Sequence, residues 1–377
     1  MKKIRALVFD GALPARLAFV TIWLSLFAYA GRPLLVAASA GGIAPAIAWL
    51  ALFGCSMLPM LPVLVRRTDP LRKRSFLHWT GYATLGIFSL LLVLVALSDV
   101  LRLSLLLMHF AINSRAISFG VLAATAALSL VGLFQARCPR IKRVSIALDN
   151  LPEDLDGYRI VQWSDVHVGP TIQRRFVQTL VDRTNAIGAD AIAITGDLVD
   201  GYLDELRDQV EPLADLRARD GVFYVTGNHE YYWRASEWIK EFERLGLIFL
   251  KNEHLLVRSG LVMAGVTDPA GRDTHKQDVG KALADAPGDA VKILLSHRPQ
   301  TARAASKLGV DVQLSGHTHG GQFFPFNLLI RFFQPIVAGL HRVGRTWLYV
   351  SRGTGYWGPP SRLGVHGEIT VITLRRP

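Results

Sequence analysis

The chain has 377 residues, of which 50% are hydrophobic, with a formal charge of +12 at neutral pH. Its length exceeds one typical domain and favours two units. It carries only two cysteines, Cys55 and Cys138, which excludes a disulfide framework and a thiolate metal site.

The apolar content is uneven, and most of it precedes about residue 137. A spanning helix needs about 20 mostly apolar residues. Segments 40–65, 77–98 and 116–136 meet that requirement. Segment 17–31 is a shorter fourth, which reaches full length if Arg16 snorkels or the bilayer thins. Pro45, Pro59 and Pro62 predict a kink in the second span, or its end near Pro59. Residues 103–112 are too few to cross and are expected at the interface. Lys2 and Lys3 ahead of the first run, with Ala28-Tyr29-Ala30 near its end, also fit a secretory signal peptide, so both readings of that segment stay open. No span shows a cluster of buried ionisable residues, which argues against a transporter.

The basic excess sits largely at membrane edges: Lys2, Lys3, Arg5, Arg16, Arg66, Arg67, Arg72, Lys73, Arg74, Arg137, Arg140, Lys142 and Arg143. Such clusters orient spans and contact anionic lipid, and this placement argues against nucleic acid as their partner. Four spans put all of these residues on one face, against Arg32, Arg102 and Arg115 on the other. By the positive-inside rule that face, with the C-terminal half, is cytoplasmic, and the membrane is the plasma (inner) membrane.

After Leu151-Pro152 the pattern becomes strand, loop, helix, repeated. The strand 158–163 runs into Ser164-Asp165-Val166-His167, and a helix over 174–187 leads to a strand at 191–195 and Gly196-Asp197. The strand 222–226 precedes Gly227-Asn228-His229-Glu230, 291–295 precedes Ser296-His297-Arg298, and 311–314 precedes Ser315-Gly316-His317-Thr318-His319-Gly320-Gly321. Late strands near 347–350 and 369–374 suggest a second sheet packed on the first. Five β-rich runs thus end in Asp, His or Asn. In open α/β folds, sites form beyond the carboxyl ends of strands, so these loops can converge.

Asp165 and His167 stand two apart on extended chain, so both side chains face one way and can share a metal. His317 and His319 repeat that spacing. Asn228 and His229 are adjacent and point differently, so one can ligate while the other faces substrate. A set of His, Asn and Asp without Cys suits Mn, Fe or Zn and does not select among them. Two such ions need a shared anionic ligand, and Asp197 is the candidate bridge.

These residues resemble, in order, the motifs of the calcineurin-like metallophosphoesterase superfamily: Asp165-Val-His167, Gly196-Asp197, Gly227-Asn228-His229-Glu230, Ser296-His297 and Gly316-His317-Thr-His319. The resemblance covers roughly residues 143–375. The longer string from Gly316 to Gln322, with spans before it, is similar to the branch of transmembrane proteins with a metallophosphoesterase domain. It implies a helical transmembrane bundle over 1–142 and a four-layer α/β/β/α metallophosphoesterase sandwich over 143–377. It implies one metal on Asp165, His167, Asp197 and His319, a second on Asp197, Asn228, His297 and His317, and His229 beside the reacting phosphate. Ser351-Arg352-Gly353 is kept, but His366-Gly367-Glu368 stands where the branch carries Pro-Glu, which alters the expected pocket shape. Arg298 and Arg352 are candidates for outer phosphate oxygens, in competition with surface salt bridges.

The implied reaction is hydrolysis of a phosphate ester or diphosphate across two divalent ions. A membrane-tethered site suits a lipid-linked phosphate, and some relatives of the branch cleave UDP-2,3-diacylglucosamine in lipid A synthesis. The alternatives are a nuclease or nucleotide phosphodiesterase of the same superfamily, and a non-catalytic membrane scaffold.

Overall fold

The structure is a computed structural model and describes residues 13–38, 44–65, 75–272 and 275–377. The basic residues Lys2, Lys3, Arg5, Arg66, Arg67, Arg72, Lys73 and Arg74 lie outside the described residues. The chain divides into two compact units. The first runs to Phe134 and also takes two short segments from much later in the chain, Phe323–Pro325 and Gly358–Leu363. The second holds the rest, so the boundary falls before residue 142, and the two late segments depart from a single cut.

In the first unit the helices are α1 (Leu13–Ala30), α2 (Arg32–Ala38), α3 (Ala44–Met57), α4 (Leu61–Val65), α5 (Ser75–Leu107) and α6, which starts at Ser114 and ends at Arg137. Of these, α1, α5 and α6 are long and apolar enough to cross a membrane. At 14 residues α3 falls short alone. A 3-10 turn over Leu58–Met60 with Pro59 in its first turn separates it from α4, the break that the prolines predict. At 33 residues, or about 50 Å, α5 absorbs the first half of the segment expected at the interface. No glycine or proline interrupts residues 99–108, so nothing in the sequence stops the helix before His109, whose φ is 59°. Phe27 of α1 stacks on Phe88 of α5 at 3.8 Å between ring centroids.

One partly exposed polar cluster joins the helices of this unit. Asp99 of α5 accepts from the Tyr29 hydroxyl at 2.7 Å and the Arg32 guanidinium at 2.6 Å. Both charges are partly exposed, so this is not a buried ionisable cluster of the kind that marks a transport path.

The second unit is built from two six-stranded mixed sheets. Its elements are β1 (Arg140–Ala147), β2 (Arg159–Trp163), α7 (Arg174–Asn185), β3 (Ala191–Ile194), α8 (Leu203–Val210), β4 (Val222–Tyr224), α9 (Asn228–Tyr232), α10 (Ala235–Arg244) and β5 (Ile248–Phe249). They continue with β6 (Glu253–Arg258), β7 (Leu261–Gly265), α11 (Val279–Ala282), β8 (Val291–Leu295), α12 (Ala302–Lys307), β9 (Val312–Ser315), α13 (Phe326–Leu329), β10 (Gly339–Val343), β11 (Thr346–Val350) and β12 (Glu368–Arg375).

One sheet has the order β1-β12-β2-β3-β4-β5, the other β10-β11-β9-β8-β7-β6. Ile160, Ala191 and Phe223 of the first share a buried core with Met263, Ile293, Leu314 and Tyr349 of the second, so the sheets face each other. Val177, Leu180, Trp238 and Phe242 cover the outer face of the first sheet. Ala282 and Ala305 lie with Val262 and Leu294 on the outer face of the second. The layers are therefore α/β/β/α, as the resemblance implies. Strands buried on both faces explain the short, almost wholly apolar runs such as Ala191–Ile194. The strand expected at 369–374 in a second sheet instead joins the first: β12 inserts between β1 and β2, parallel to one and antiparallel to the other.

Phe242 lies between Trp238, stacked at 5.3 Å, and Tyr224, edge-on at 5.0 Å. Phe242→Ala lowers stability by about 3–5 kcal/mol, read from denaturant titration of the full-length protein. Leu308→Ala at an exposed position shifts it by less than about 0.5 kcal/mol.

Candidate metal centre

Five loops carry the site, and each leaves the carboxyl end of a strand. Asp165 and His167 follow β2, Asp197 follows β3, and Asn228 and His229 follow β4. Because β2, β3 and β4 are adjacent and parallel, these three loops share one edge of their sheet. In the second sheet β8 and β9 are also adjacent and parallel, and deliver His297, His317 and His319.

The chain turns sharply to aim these groups. Asp165, His167, Asp197, His317 and His319 all take positive φ, between 52° and 73°. Non-glycine residues rarely adopt that region, and each such residue costs on the order of 1–3 kcal/mol. Strain gathered on these five positions marks a functional site. Gly316 is required by close approach, because a Cβ there would collide with Ser164 Oγ and the Asp165 carboxylate.

His167 Nε2 lies 3.0 Å from His319 Nε2, and His319 Nε2 lies 3.3 Å from Asp165 Oδ1. On the other side His297 Nε2 is 3.2 Å from Asp197 Oδ2, and His317 Nδ1 is 3.2 Å from His297 Nε2. Asp197 Oδ2 is also 3.9 Å from His167 Nε2. One oxygen therefore faces both histidine groups, as a bridging ligand must. Donor atoms of Asp165, His167 and His319 lie within 4.8 Å of one another, as do those of Asp197, His297 and His317. His167, Asp197 and His229 form a third such group.

The donor chemistry fits divalent cations. Burial first, then the neighbouring His229, holds His167 down to about 3, and burial with His297 does the same for His317. Both are neutral near pH 7, as ligation requires. Burial opposes charge on Asp197, but His297 and His229 outweigh it and hold the carboxyl well below its usual range. Asn228 Oδ1 is buried and has no hydrogen-bond partner, an acceptor that a cation would satisfy.

Two carboxylates that the sequence reading left without a role hold this arrangement. Glu230 is fully buried and accepts from the backbone N–H of Gly227 at 2.7 Å, Leu198 at 2.7 Å and Asp197 at 3.1 Å. It ties the β3 loop to the β4 loop. Asp200 Oδ1 accepts from Trp233 Nε1 at 2.8 Å and faces His229 Nδ1 at 3.1 Å. That contact fixes the ring of His229 and leaves its Nε2 for the site. Burial works against charge on His229, but Asp197 and Asp200 lift it to about 9. The spacing of Asp197 and Asp200 was the available signal: two carboxylates three residues apart after one strand.

The other expected residues separate. Arg298 donates Nε and Nη2 to the buried Asp268 at 2.8 and 3.1 Å, so much of its guanidinium is held in a bidentate pair. The Arg352 backbone N–H donates to Glu368 Oε1 at 3.1 Å, and its side-chain stem lies beside the Cα of Gly320. Glu368 also accepts from the Tyr349 hydroxyl at 2.6 Å, so the segment that departs from the family string anchors the Ser351-Arg352-Gly353 loop through its glutamate. Tyr232, 45% exposed, lies 5.1 Å from His229 between ring centroids, and Trp357 lies 5.9 Å from it. His254 and His341 pair with the backbone carbonyls of Ala282 and Ala338, outside the donor groups.

Glu230→Gln replaces an acceptor of four N–H groups with an amide that has one acceptor oxygen. Mn2+ affinity should fall by roughly 10–100-fold, measured by calorimetric titration of the full-length protein.

Comparison with known proteins agrees with this geometry. The calcineurin-like phosphoesterase family profile matches residues 158–321. A transmembrane protein with metallophosphoesterase domain from Danio rerio is 35% identical over 325 residues, spanning 79% of this chain and 74% of the relative. Its counterpart of the same name from Bos taurus is 38% identical over 269 residues, 67% of this chain and 61% of the relative. An uncharacterized metallophosphoesterase of Aquifex aeolicus is 31% identical over 241 residues, 63% of this chain and 92% of the relative. This chain belongs to the calcineurin-like metallophosphoesterase family, in the branch of transmembrane proteins with a metallophosphoesterase domain.

Proposed function

We propose that the protein is a membrane-anchored phosphoesterase that hydrolyses a phosphate ester or diphosphate at a two-metal centre bridged by Asp197. The observation that carries this reading is the single Asp197 oxygen facing both histidine groups. Asp165, His167, Asp197 and His319 would hold one divalent ion, and Asp197, Asn228, His297 and His317 the other. The ions, when bound, neutralise phosphate oxygens and lower the pKa of a water that attacks in line. The unpartnered Oδ1 of Asn228 supports its role as the ligand of the Asn-His pair. His229, held by Asp200, then places Nε2 where it can protonate the leaving oxygen. The Tyr232 and Trp357 rings both lie within 6 Å of the His229 ring, where they can flank a bound substrate. Arg298 and Arg352 remain our candidates for outer phosphate oxygens.

Asp197→Asn should abolish Mn2+-dependent cleavage of an aryl phosphodiester and reduce bound metal from two ions per chain, whereas His254→Ala should leave both intact. Near-normal turnover with two ions in Asp197→Asn would refute the bridge.

We place the catalytic domain on the cytoplasmic face of the plasma membrane, because the basic residues that flank the spans outnumber those on the opposite face. That count requires α3 with α4 to complete a crossing, which their combined helical run supports. A reporter active only outside the cytoplasm, fused after Pro377, should stay silent.

We further propose a lipid-linked diphosphate of the UDP-2,3-diacylglucosamine type as substrate. Tethering by long apolar helices supports a substrate that is itself membrane-bound. Mn2+-loaded full-length protein should release UMP from that lipid in mixed micelles. Cleavage of an aryl diester without UMP release would retain the reaction class and reject this substrate.

A further inference from the structure

Among the described residues of the second unit nine large apolar side chains stand exposed, and five of them fall within eight positions: Phe326, Leu328, Leu329, Phe332 and Phe333. Phe332 is 82% exposed, Phe333 72% and Leu328 60%. They occupy α13, the 3-10 turn Ile330–Phe332 and the residue after it. Apolar residues scattered over a surface are ordinary, but a contiguous apolar patch marks a contact.

The patch is fastened at both ends to the loop that carries His317 and His319. Ile330, in its middle, is buried. Gly321 closes the metal loop with φ at 83°, and a Cβ there would collide with Asn327 Cα and approach Ile330 Cγ2 to 2.9 Å. Beyond the patch, the hydroxyl of Thr318 donates to the Val337 carbonyl at 2.6 Å. Residues 326–333 therefore leave the metal loop and return to it, inside the second unit.

The chain itself indicates what covers this patch. Three helices of the protein are long and apolar enough to cross a membrane, so a bilayer is always within reach. The chain arrives at the patch from Phe323–Pro325, which belongs to the first unit. There the Phe324 carbonyl accepts from the Ser89 hydroxyl at 3.1 Å, and Ser89 lies inside the charge-free run 85–98 of α5. Phe324 and Phe326 are two residues apart, at most about 7 Å along the chain. The patch thus begins on chain that has just left an apolar span. Its composition fits an interface as well, since Phe and Leu can enter the acyl boundary while Arg331 stays with the lipid phosphates. Arg331 is exposed and has no ion pair among the described residues. A second copy of the chain is the poorer occupant. At about 200 Å2 per side chain these exposures amount to roughly 600 Å2, short of the about 800 Å2 per partner of a stable interface.

We propose that residues 326–333 insert into the interface of a lipid bilayer and hold the His317–His319 loop at its surface. The insertion stands on the patch alone. Its consequence for catalysis rests on the phosphoesterase reading, because it presents the metal centre to phosphates at headgroup level.

The first test is spin labelling of full-length protein in vesicles of phosphatidylethanolamine and phosphatidylglycerol, with Cys55→Ser and Cys138→Ser removing the native thiols. Labels on Leu328→Cys and Phe332→Cys should collide with a water-soluble nickel complex at least about tenfold less often than a label on Leu308→Cys, and with oxygen more often. Nickel access equal to that at Leu308→Cys would overturn the insertion. Shielding from both reagents would overturn it too, since that signals cover by protein, from this chain or a second copy.

The second test compares p-nitrophenyl hexadecyl phosphate in the same vesicles with p-nitrophenyl methyl phosphate in solution, using Mn2+-loaded protein. Water adds across the P–O bond and p-nitrophenol leaves with the alkyl phosphate. Phe332→Asp combined with Phe333→Asp should lower kcat/KM for the hexadecyl ester at least about tenfold and leave the methyl ester unchanged. Equal losses on both esters, or no loss on either, would overturn the hold on the metal loop. Cleavage of neither ester by wild type would overturn the phosphoesterase reading, while the labels would still decide the insertion.

Discussion

The second unit depends on one buried charge. Asp197 is almost fully enclosed at the end of a central strand, where an uncompensated carboxylate would be strongly destabilising. The surroundings answer it from every side: His297 and His167 face one oxygen, and the His229 N–H donates to the other at 2.7 Å. The two sheets must meet at a fixed distance for this to work, because His297 comes from the second sheet and Asp197 from the first. The shared apolar core between the sheets therefore does more than stabilise the domain; it sets the spacing between the donor residues that each sheet supplies.

Strain and support are matched around that charge. The positive φ values at five donor residues would relax if the loops were free, and buried polar contacts prevent it. Asp165 accepts from Ser164 Oγ at 2.6 Å and from the His317 N–H at 3.0 Å, so a donor of one sheet holds the loop of the other. Glu230 does the same between neighbouring loops of one sheet, although burial and the Asp197 charge lift its carboxyl to about 7. With four backbone N–H donors aimed at it, that group is fixed by geometry rather than by solvent. Glu368 plays the matching part for the loop that carries Arg352.

Much of this was legible in the chain because the local rules agree. Strand-ending Asp, His and Asn clusters separated by helical stretches identified the donor loops, and the family strings fixed their order. What the sequence hid was tertiary. Asp200 is one more acid in a loop until Trp233 and His229 converge on it, and Arg298 looks like a phosphate contact until Asp268, thirty residues away, pairs with it. The placement of β12 was missed because a strand buried on both faces carries no record of which neighbour it joins. Nothing local in the sequence marks the late segments Phe323–Pro325 and Gly358–Leu363 as members of the first unit. The length of α5 shows the opposite failure: the interface was placed by hydropathy, while the helix simply lacked a residue to end it.

The central claim is that two cations share Asp197, and electron paramagnetic resonance of Mn2+-loaded full-length protein addresses it most directly. Ions bridged at about 3.5–4 Å are exchange-coupled. The account predicts a coupled spectrum at saturating Mn2+ in the wild type, reverting in Asp197→Asn to the hyperfine pattern of isolated ions. An isolated-ion spectrum from saturated wild-type protein, or a coupled one that survives in Asp197→Asn, would contradict it.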